Sequence, residues 1–232
     1  MKKTQHTLTA IVPVHNEELF LEESLNRLLK IKIIDKIIVV DDCSSDNSIE
    51  IIKKIEKENE RLLVFQTSVN LGKGGAIKLA FNEISTDYAI IHDADLEYDP
   101  EDIYKLYNKI EKNRSNFVIG TRFSDKSRPQ IYKRTFYANK FLSFLFSLVY
   151  KEKVSDIATC YKLIPSNYLK NTAFAENGFA IEVELLAKFL LIDKNYSEVP
   201  ITYVPRSYKE GKKIKFLDGI KYILVIFKYR FI

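Results

Sequence analysis

The chain predicts an α/β protein built on a mostly parallel central sheet flanked by helices, and three observations carry that expectation. Five short runs rich in β-branched and aromatic residues recur through the first half, at Leu8 to Val14, Ile37 to Asp41, Leu62 to Phe65, Tyr88 to His92 and Phe117 to Gly120. Segments with helical spacing separate them, the alternation that a sheet covered on both faces requires. With 232 residues, 46% hydrophobic and 29% charged, the chain suffices for one well-filled core and is too apolar for large disordered tails.

Taken in order, LTAIVPV is a strand with the polar tail HNEE, and Leu21, Leu25, Leu28 and Leu29 stripe the helix after it. Asn16 suits the N-cap of that helix as well as a ligand. The second strand ends in DDCSSD, where Ser44 to Asp46 open a helix striped by Ile49, Ile52 and Ile55. The third leads into NLGKGG. It lacks the Gly-Lys-Ser/Thr ending of a triphosphatase phosphate loop, but its glycines permit close backbone approach and Lys73 can meet phosphate. The fourth enters HDADLEYDP, where Asp99 and Pro100 form the cap and first position of a helix buried along Ile103, Leu106, Tyr107 and Ile110. Beyond it the spacing predicts an aromatic helix over Phe136 to Tyr150, another over Phe179 to Ile192, a strand over Val199 to Val204 and a terminal helix over Phe216 to Ile232. The two aromatic-rich helices suit either a core or a bilayer surface.

Charge narrows the partners. The net charge is +5, with acids crowding the loops of the first half and bases collecting after Ser124 and from Arg206 to Lys215. That asymmetry suits a phosphate-bearing partner. Cys43 and Cys160 lack metal-ligand spacing, and the N-terminus carries no apolar run with a cleavage site, so a cytosolic protein is expected. No apolar span reaches the roughly 18 residues of a transmembrane helix.

Ligands of parallel sheets bind beyond the carboxyl ends of the strands, where crossovers bring these polar tails together. Asp93 and Asp95 are alternate residues just past a strand. Two carboxylates so close repel unless a cation sits between them, and hard divalent ions prefer oxygen. Mg²⁺ or Mn²⁺ held between them and ligand phosphates is the simplest chemistry, with Glu97 able to complete the set. Asp41 or Asp42 can accept from a base or ribose. His92, on the other face from Asp93, is expected to pack rather than ligate.

In that order, VPVHNEE, VVDDCSSD, NLGKGGA, HDADLE and VIGTRF resemble the inverting GT-A glycosyltransferases of family 2. The later segments VSDIATCYKLIP, ENGFAIEVELLAKF and EVPITYVPRSYKEGKKIKFLDGIKYILVIFKYRF are similar to polyprenyl or dolichyl phosphate hexose synthases. The resemblance covers essentially the whole chain. It implies a GT-A nucleotide-diphospho-sugar transferase fold over 1–210, with acceptor-side helices around 129–150 and a basic, apolar C-terminal helix over 211–232. It implies a UDP- or GDP-sugar donor, a polyprenyl or dolichyl phosphate acceptor, Mg²⁺ or Mn²⁺, the cytoplasmic face of a membrane, and room for an integral membrane partner. By the same resemblance Pro13, Asn16, Glu17 and Asp42 line the nucleotide side, to which the glycine-rich loop adds Gly72 and Lys73, while Asp93, Asp95 and Glu97 hold the metal. Arg122 faces the lipid phosphate, Arg134 stands on the acceptor side, and Arg206 with Lys212 and Lys213 forms the basic segment that closes over both phosphates. Cys43 stands where the family often has Gly, and Glu97 where it often has Gln.

Three rivals remain. A family 2 transferase acting on a soluble glycan or protein needs a general base, with Glu176, Glu182 and Glu184 as candidates. A nucleotidyltransferase wants a glycine-rich phosphate loop after the first strand, where this chain has HNEE. A nucleic-acid-binding module would use the basic residues near Arg206, but acidic strand ends repel a phosphate backbone, so no nucleic-acid partner is expected.

Overall fold

A computed structural model describes residues 6–113, 115–123, 133–206 and 216–231. Strands β1 (Leu8–Val14), β2 (Lys36–Asp41), β3 (Leu62–Gln66), β4 (Tyr88–Ile91) and β5 (Phe117–Thr121) follow the expected runs closely. Helices α1 (Leu21–Leu29), α2 (Ser48–Glu56), α3 (Lys73–Ala80) and α4 (Ile103–Asn113) lie between them. The central strands are nearly all apolar because both of their faces are covered: Leu8, Ala10, Ile11 and Val12 in β1 and Ile37 to Val40 in β2 are fully buried, whereas in β3, at the sheet edge, only Leu62 is. The α4 face through Ile103, Leu106, Tyr107 and Ile110 is buried too. Asp99 caps its leading 3-10 turn by accepting from Glu101 N at 3.1 Å, with Pro100 in the first position.

The second half adds α5 (Lys133–Tyr150), β6 (Lys162–Pro165), α6 (Ser166–Asn171), α7 (Ile181–Ile192), β7 (Tyr196–Pro200) and α8 (Phe216–Phe231). The seven-stranded sheet runs β3-β2-β1-β4-β6-β5-β7. All pairings are parallel except those of β6, which lies antiparallel between β4 and β5.

Two expectations shift. The last strand is Tyr196–Pro200, not Val199 to Val204: it pairs with β5 until Pro200, which has no N–H to extend the ladder. Beyond it Tyr203 makes an isolated bridge to Tyr98, and Val204 N reaches Glu97 O at 2.8 Å, so this stretch clamps the acidic turn instead of lengthening the sheet. Asn16 is not a helix cap, since α1 begins only at Leu21 and the cap position is Phe20.

Three of the four non-glycine residues at positive φ among the described residues sit on strand-end loops: Asn16 (53°), Cys43 (57°) and Leu96 (60°). Left-handed backbone at branched or bulky residues costs energy and clusters where function holds it in place. It also explains why glycine suits the position of Cys43.

Candidate active site

The carboxyl ends of β1, β2, β4 and β5, the start of α3 and residues of α7 and α8 surround one cleft. Pro13, Glu17, Asp42, Gly72, Lys73, Asp93, Asp95, Glu97, Arg122 and Arg206 all line it. Asn16 and Arg134 do not. Asn16 Oδ1 accepts from Ser45 N at 2.7 Å, tying the first strand-end loop to the second, and Arg134 lies exposed on the first turn of α5. Lys212 and Lys213 lie outside the described residues.

Asp42 organises one side of the cleft. Its carboxylate accepts from Leu71 N at 2.8 Å, Gly72 N at 2.7 Å and Thr67 Oγ1 at 3.1 Å, so it shapes the loop before α3. That loop and the first turn of α3 pack closely on the segment before α7: a Cβ on Gly74 would lie 2.5 Å from Glu176 O, and one on Gly72, at φ 80°, 2.7 Å from Asn177 O. His15 lines the cleft between Asp42 O, 2.8 Å from Nδ1, and Asn70 Nδ2, 3.0 Å from Nε2.

Each carboxylate of the acidic pair holds a side-chain cation. Lys73 Nζ lies 2.8 and 2.9 Å from the two oxygens of Asp93 and 2.9 Å from Glu182 Oε1. Glu182 in turn pairs with fully buried Lys162 at 2.8 Å, and Lys162 also donates to Thr159 O. Burial opposes ionisation of Asp93, but the Lys73 ammonium outweighs it and holds the carboxyl below its usual range. Asp95 meets Arg206 Nη2 at 2.9 Å, and Arg206 Nη1 reaches Glu17 at 2.9 Å. Burial, then the charges of Asp93 and Glu97, push Asp95 up to about 7 in spite of Arg206.

Glu97, expected beside the metal, is engaged by the segment after β7. Its oxygens accept from Tyr203 OH at 2.5 Å and Arg206 N at 2.7 Å, and no set of three His, Cys, Asp or Glu residues is poised around a metal among the described residues. Its length carries it across to the chain after β7, which it anchors. The remaining donor set still fits a divalent ion. Asp93 and Asp95 already attract cations, and Mg²⁺ commonly takes one or two protein carboxylates and completes its shell with water and substrate phosphates.

Arg122 is 6% exposed and its fork is closed on Asp156, with Nε–Oδ2 at 2.7 Å and Nη2–Oδ1 at 2.8 Å. It stacks 4.9 Å from the centre of the Tyr203 ring, so it braces the cleft wall more than it reaches across it. His92 packs as expected, with Nδ1 2.8 Å from Tyr161 OH and Nε2 3.3 Å from Ser24 Oγ, and burial lowers it to about 4.

Sequence reasoning missed Tyr222, Phe179 and Tyr203, all of which line the cleft. Tyr222 comes from α8, is 5% exposed, and its hydroxyl makes no hydrogen bond among the described residues. Its only sequence signal is a polar atom within an apolar helix.

Known proteins resemble this chain in fold and in sequence. Among solved structures, glucosyl-3-phosphoglycerate synthase from Mycobacterium tuberculosis, in complex with Mn²⁺, UDP and phosphoglyceric acid, superposes with a TM-score of 0.74 over 98% of this chain and 79% of that one, at 18% identity, a likeness of fold. A UDP-N-acetylglucosamine–dolichyl-phosphate N-acetylglucosaminyltransferase of Methanococcus voltae is 29% identical over 235 residues, 91% of each chain. An undecaprenyl-phosphate 4-deoxy-4-formamido-L-arabinose transferase of Edwardsiella ictaluri is 26% identical over 90% of this chain and 64% of its own length. A sequence model described as Glycosyl transferase family 2 matches residues 9–172, and on that match the chain belongs to glycosyl transferase family 2.

Proposed function

We propose that the chain transfers a hexose from a UDP- or GDP-sugar to a polyprenyl or dolichyl phosphate, with inversion at the anomeric carbon and with Mg²⁺ or Mn²⁺. One observation carries the choice of acceptor. A hydroxyl acceptor needs a general base, and each candidate glutamate is already engaged. Glu182 sits between Lys73 and Lys162. Glu184 is fully buried, accepts from Ala175 N and Glu176 N and pairs with Lys188 at 2.8 Å; despite burial, these contacts hold it below its usual range. Glu176 pairs with Lys228 at 2.9 Å. A lipid phosphate needs no such base, because its second ionisation near pH 6 leaves it largely dianionic at neutral pH.

Asp93 and Asp95 are the residues to hold the metal, which when bound neutralises charge on the departing nucleoside diphosphate. Lys73 keeps Asp93 ionised and positioned. Arg206 is the guanidinium that exchanges Asp95 and Glu17 for substrate phosphate, a trade its planar fork suits. Tyr222 offers a hydroxyl donor to the anions meeting in the cleft. Pro13, Glu17 and the loop shaped by Asp42 receive the nucleoside. An acceptor with a long polyprenyl tail stays in its bilayer, at roughly 0.8 kcal/mol per buried methylene. The chain therefore works at the cytoplasmic surface of a membrane, where an integral membrane protein can receive the product.

The test incubates the full chain with Mg²⁺ or Mn²⁺, a panel of UDP and GDP sugars, and a short polyprenyl phosphate, reading lipid-linked sugar by mass. A product one hexose heavier, absent without metal or lipid phosphate, is expected. Transfer to a soluble glycan or protein in place of the lipid phosphate would overturn the acceptor assignment.

A further inference from the structure

Helices α5 and α8 pack against each other, with Tyr150 OH donating to Ile226 O at 3.2 Å and Arg230 Nε to Val149 O at 3.2 Å. Each helix is apolar on two opposite faces, and only one of those faces is covered. In α5 the inward face is Leu142, Phe146 and Tyr150, while Tyr137, Phe141, Phe144 and Leu148 point outward. In α8, Tyr222, Val225 and Ile226 point inward, and Leu217, Ile220, Leu224, Phe227 and Phe231 point outward. Steps of three and four residues make each outward set a continuous stripe along its helix. These nine side chains are 39 to 75% exposed and make up more than half of the sixteen exposed large apolar residues among those described. The other seven are scattered over α3, β3, α7 and loops.

Charge identifies what covers this face. The two helices carry Lys133, Arg134, Lys140, Lys221, Lys228 and Arg230 against one acid, Asp218. That balance of +5 equals the net charge of the entire chain, so the remaining residues are neutral in sum. Two copies docked through this face would bring two such surpluses together, which disfavours self-association. An anionic lipid surface takes up both features, since apolar side chains enter the acyl boundary while lysines and arginines meet headgroups. No described helix is long and apolar enough to cross a membrane, which leaves lying in its surface.

We propose that the outward face of α5 and α8 is a docking surface for an anionic lipid bilayer. The proposal gives the lipid-acceptor reading its membrane contact and rests on that reading for its purpose, but not for its test. The same helix α8 that presents the stripe outward turns Tyr222 into the cleft, so the surface that touches lipid and the wall that would meet a lipid phosphate belong to one rigid element. Polar contacts fix that orientation: Lys228 pairs with Glu176, and Lys188 lies 4.4 Å from the centre of the Tyr229 ring.

The experiment floats the full chain with vesicles that contain neither donor nor acceptor, made either of phosphatidylcholine alone or with about a third phosphatidylglycerol. Wild type is expected to bind the anionic vesicles about tenfold or more tightly than the neutral ones, with the difference falling as salt rises. Phe141→Glu with Phe144→Glu, or Leu224→Glu with Phe227→Glu, should weaken binding about tenfold or more. Circular dichroism and thermal unfolding check that each variant folds, and transfer to a short, micelle-free polyprenyl phosphate should stay within about twofold of wild type. Wild type failing to float, variants floating as wild type does, or a stable dimer that the same substitutions dissolve would each overturn the proposal. Vesicle binding without lipid-phosphate transfer would instead retain this surface and remove the acceptor reading.

Discussion

Asp93 and Asp95 stand one residue apart at the same strand end, each carries a cation, and their surroundings drive them in opposite directions. Asp93 is held by Lys73 at the start of α3, which is braced by Glu182 on α7 and Lys162 on β6, so every member of that chain of charges is rooted in regular structure. Asp95 is held by Arg206, from backbone outside any helix or strand, and shares it with Glu17. The first carboxyl is kept ionised and the second is pushed up to about 7. The difference teaches that two carboxylates at one strand end can sit in opposite electrostatic settings, one locked to regular structure and the other tied to the segment after β7. Removing each carboxylate in turn separates the two. Asp95→Asn should lower metal-stimulated transfer about 10³-fold while leaving thermal stability unchanged or slightly higher, because an acid whose folded pKa is raised costs stability once ionised. Asp93→Asn should also destabilise the fold, since Lys73 is then left facing one carboxylate in a buried site. Equal stability losses in the two variants would erase the distinction.

The scaffold half can be tested from behind. Lys162→Met removes a fully buried partner of Glu182 without touching the cleft, and breaking such a pair costs about 3 to 5 kcal/mol, readable in denaturant unfolding. A loss below about 1 kcal/mol would mean that the charge chain contributes little. His92, beneath the same strand end, adds a pH signature. Its folded value near 4 lies below the unfolded 6.5, so the unfolded state binds more protons in between and stability falls as pH drops from about 6.5 to 4. The full effect is about 3 kcal/mol, and His92→Gln should flatten that part of the stability profile. An unchanged slope would place the acid sensitivity elsewhere.

How far the sequence reached follows the same division. The five parallel strands and their helices were legible because burial on both faces leaves an unbroken apolar run, and because Asp99-Pro100 signals a helix start chemically. The strand β6 was not: four residues, KLIP, carry no alternation, and what makes them a strand is the gap between β4 and β5. The strand-end position of Asp93 and Asp95 and the glycine-rich loop of Lys73 were readable, but the bridge of Lys73 from Asp93 to Glu182 was not. The anchoring of Glu97 to Tyr203 and the closure of Arg122 on Asp156 were not, since their partners lie 106 and 34 positions away and only the fold brings them together. Tyr222 is 129 positions from Asp93 in chain order, and nothing in a helix rich in Ile, Leu and Phe singles it out.

Arg206 is where the comparison can be sharpened by sign. If its guanidinium holds the place of the metal at Asp95 and then serves the substrate phosphates, Arg206→Met should do two opposite things. Metal affinity should rise a few-fold, because a competing cation is gone, while transfer falls about 10- to 100-fold, because a charge on the reacting phosphates is gone. Calorimetry with Mn²⁺ reads the first and product formation the second. Both falling together would make Arg206 a structural tie between Glu17 and Asp95.

The smallest effect tests the far wall. Tyr222 has a buried ring and a hydroxyl with no hydrogen-bond partner among the described residues, in a cleft where Glu182 and Lys73 also reach. That hydroxyl is not among the buried polar atoms left without a partner and lies on the cleft lining, where a ligand can meet it. Tyr222→Phe keeps the ring and its packing and removes one donor, which against a charged group is worth about 1.5 kcal/mol at the low end, or about tenfold. If the partner is the acceptor phosphate, the change should appear as a higher KM for the lipid phosphate, with donor hydrolysis in the absence of acceptor unaltered. A fall in donor hydrolysis instead would move the hydroxyl to the sugar or diphosphate, and the acceptor would then have to be held by Arg206 and the basic residues beyond it.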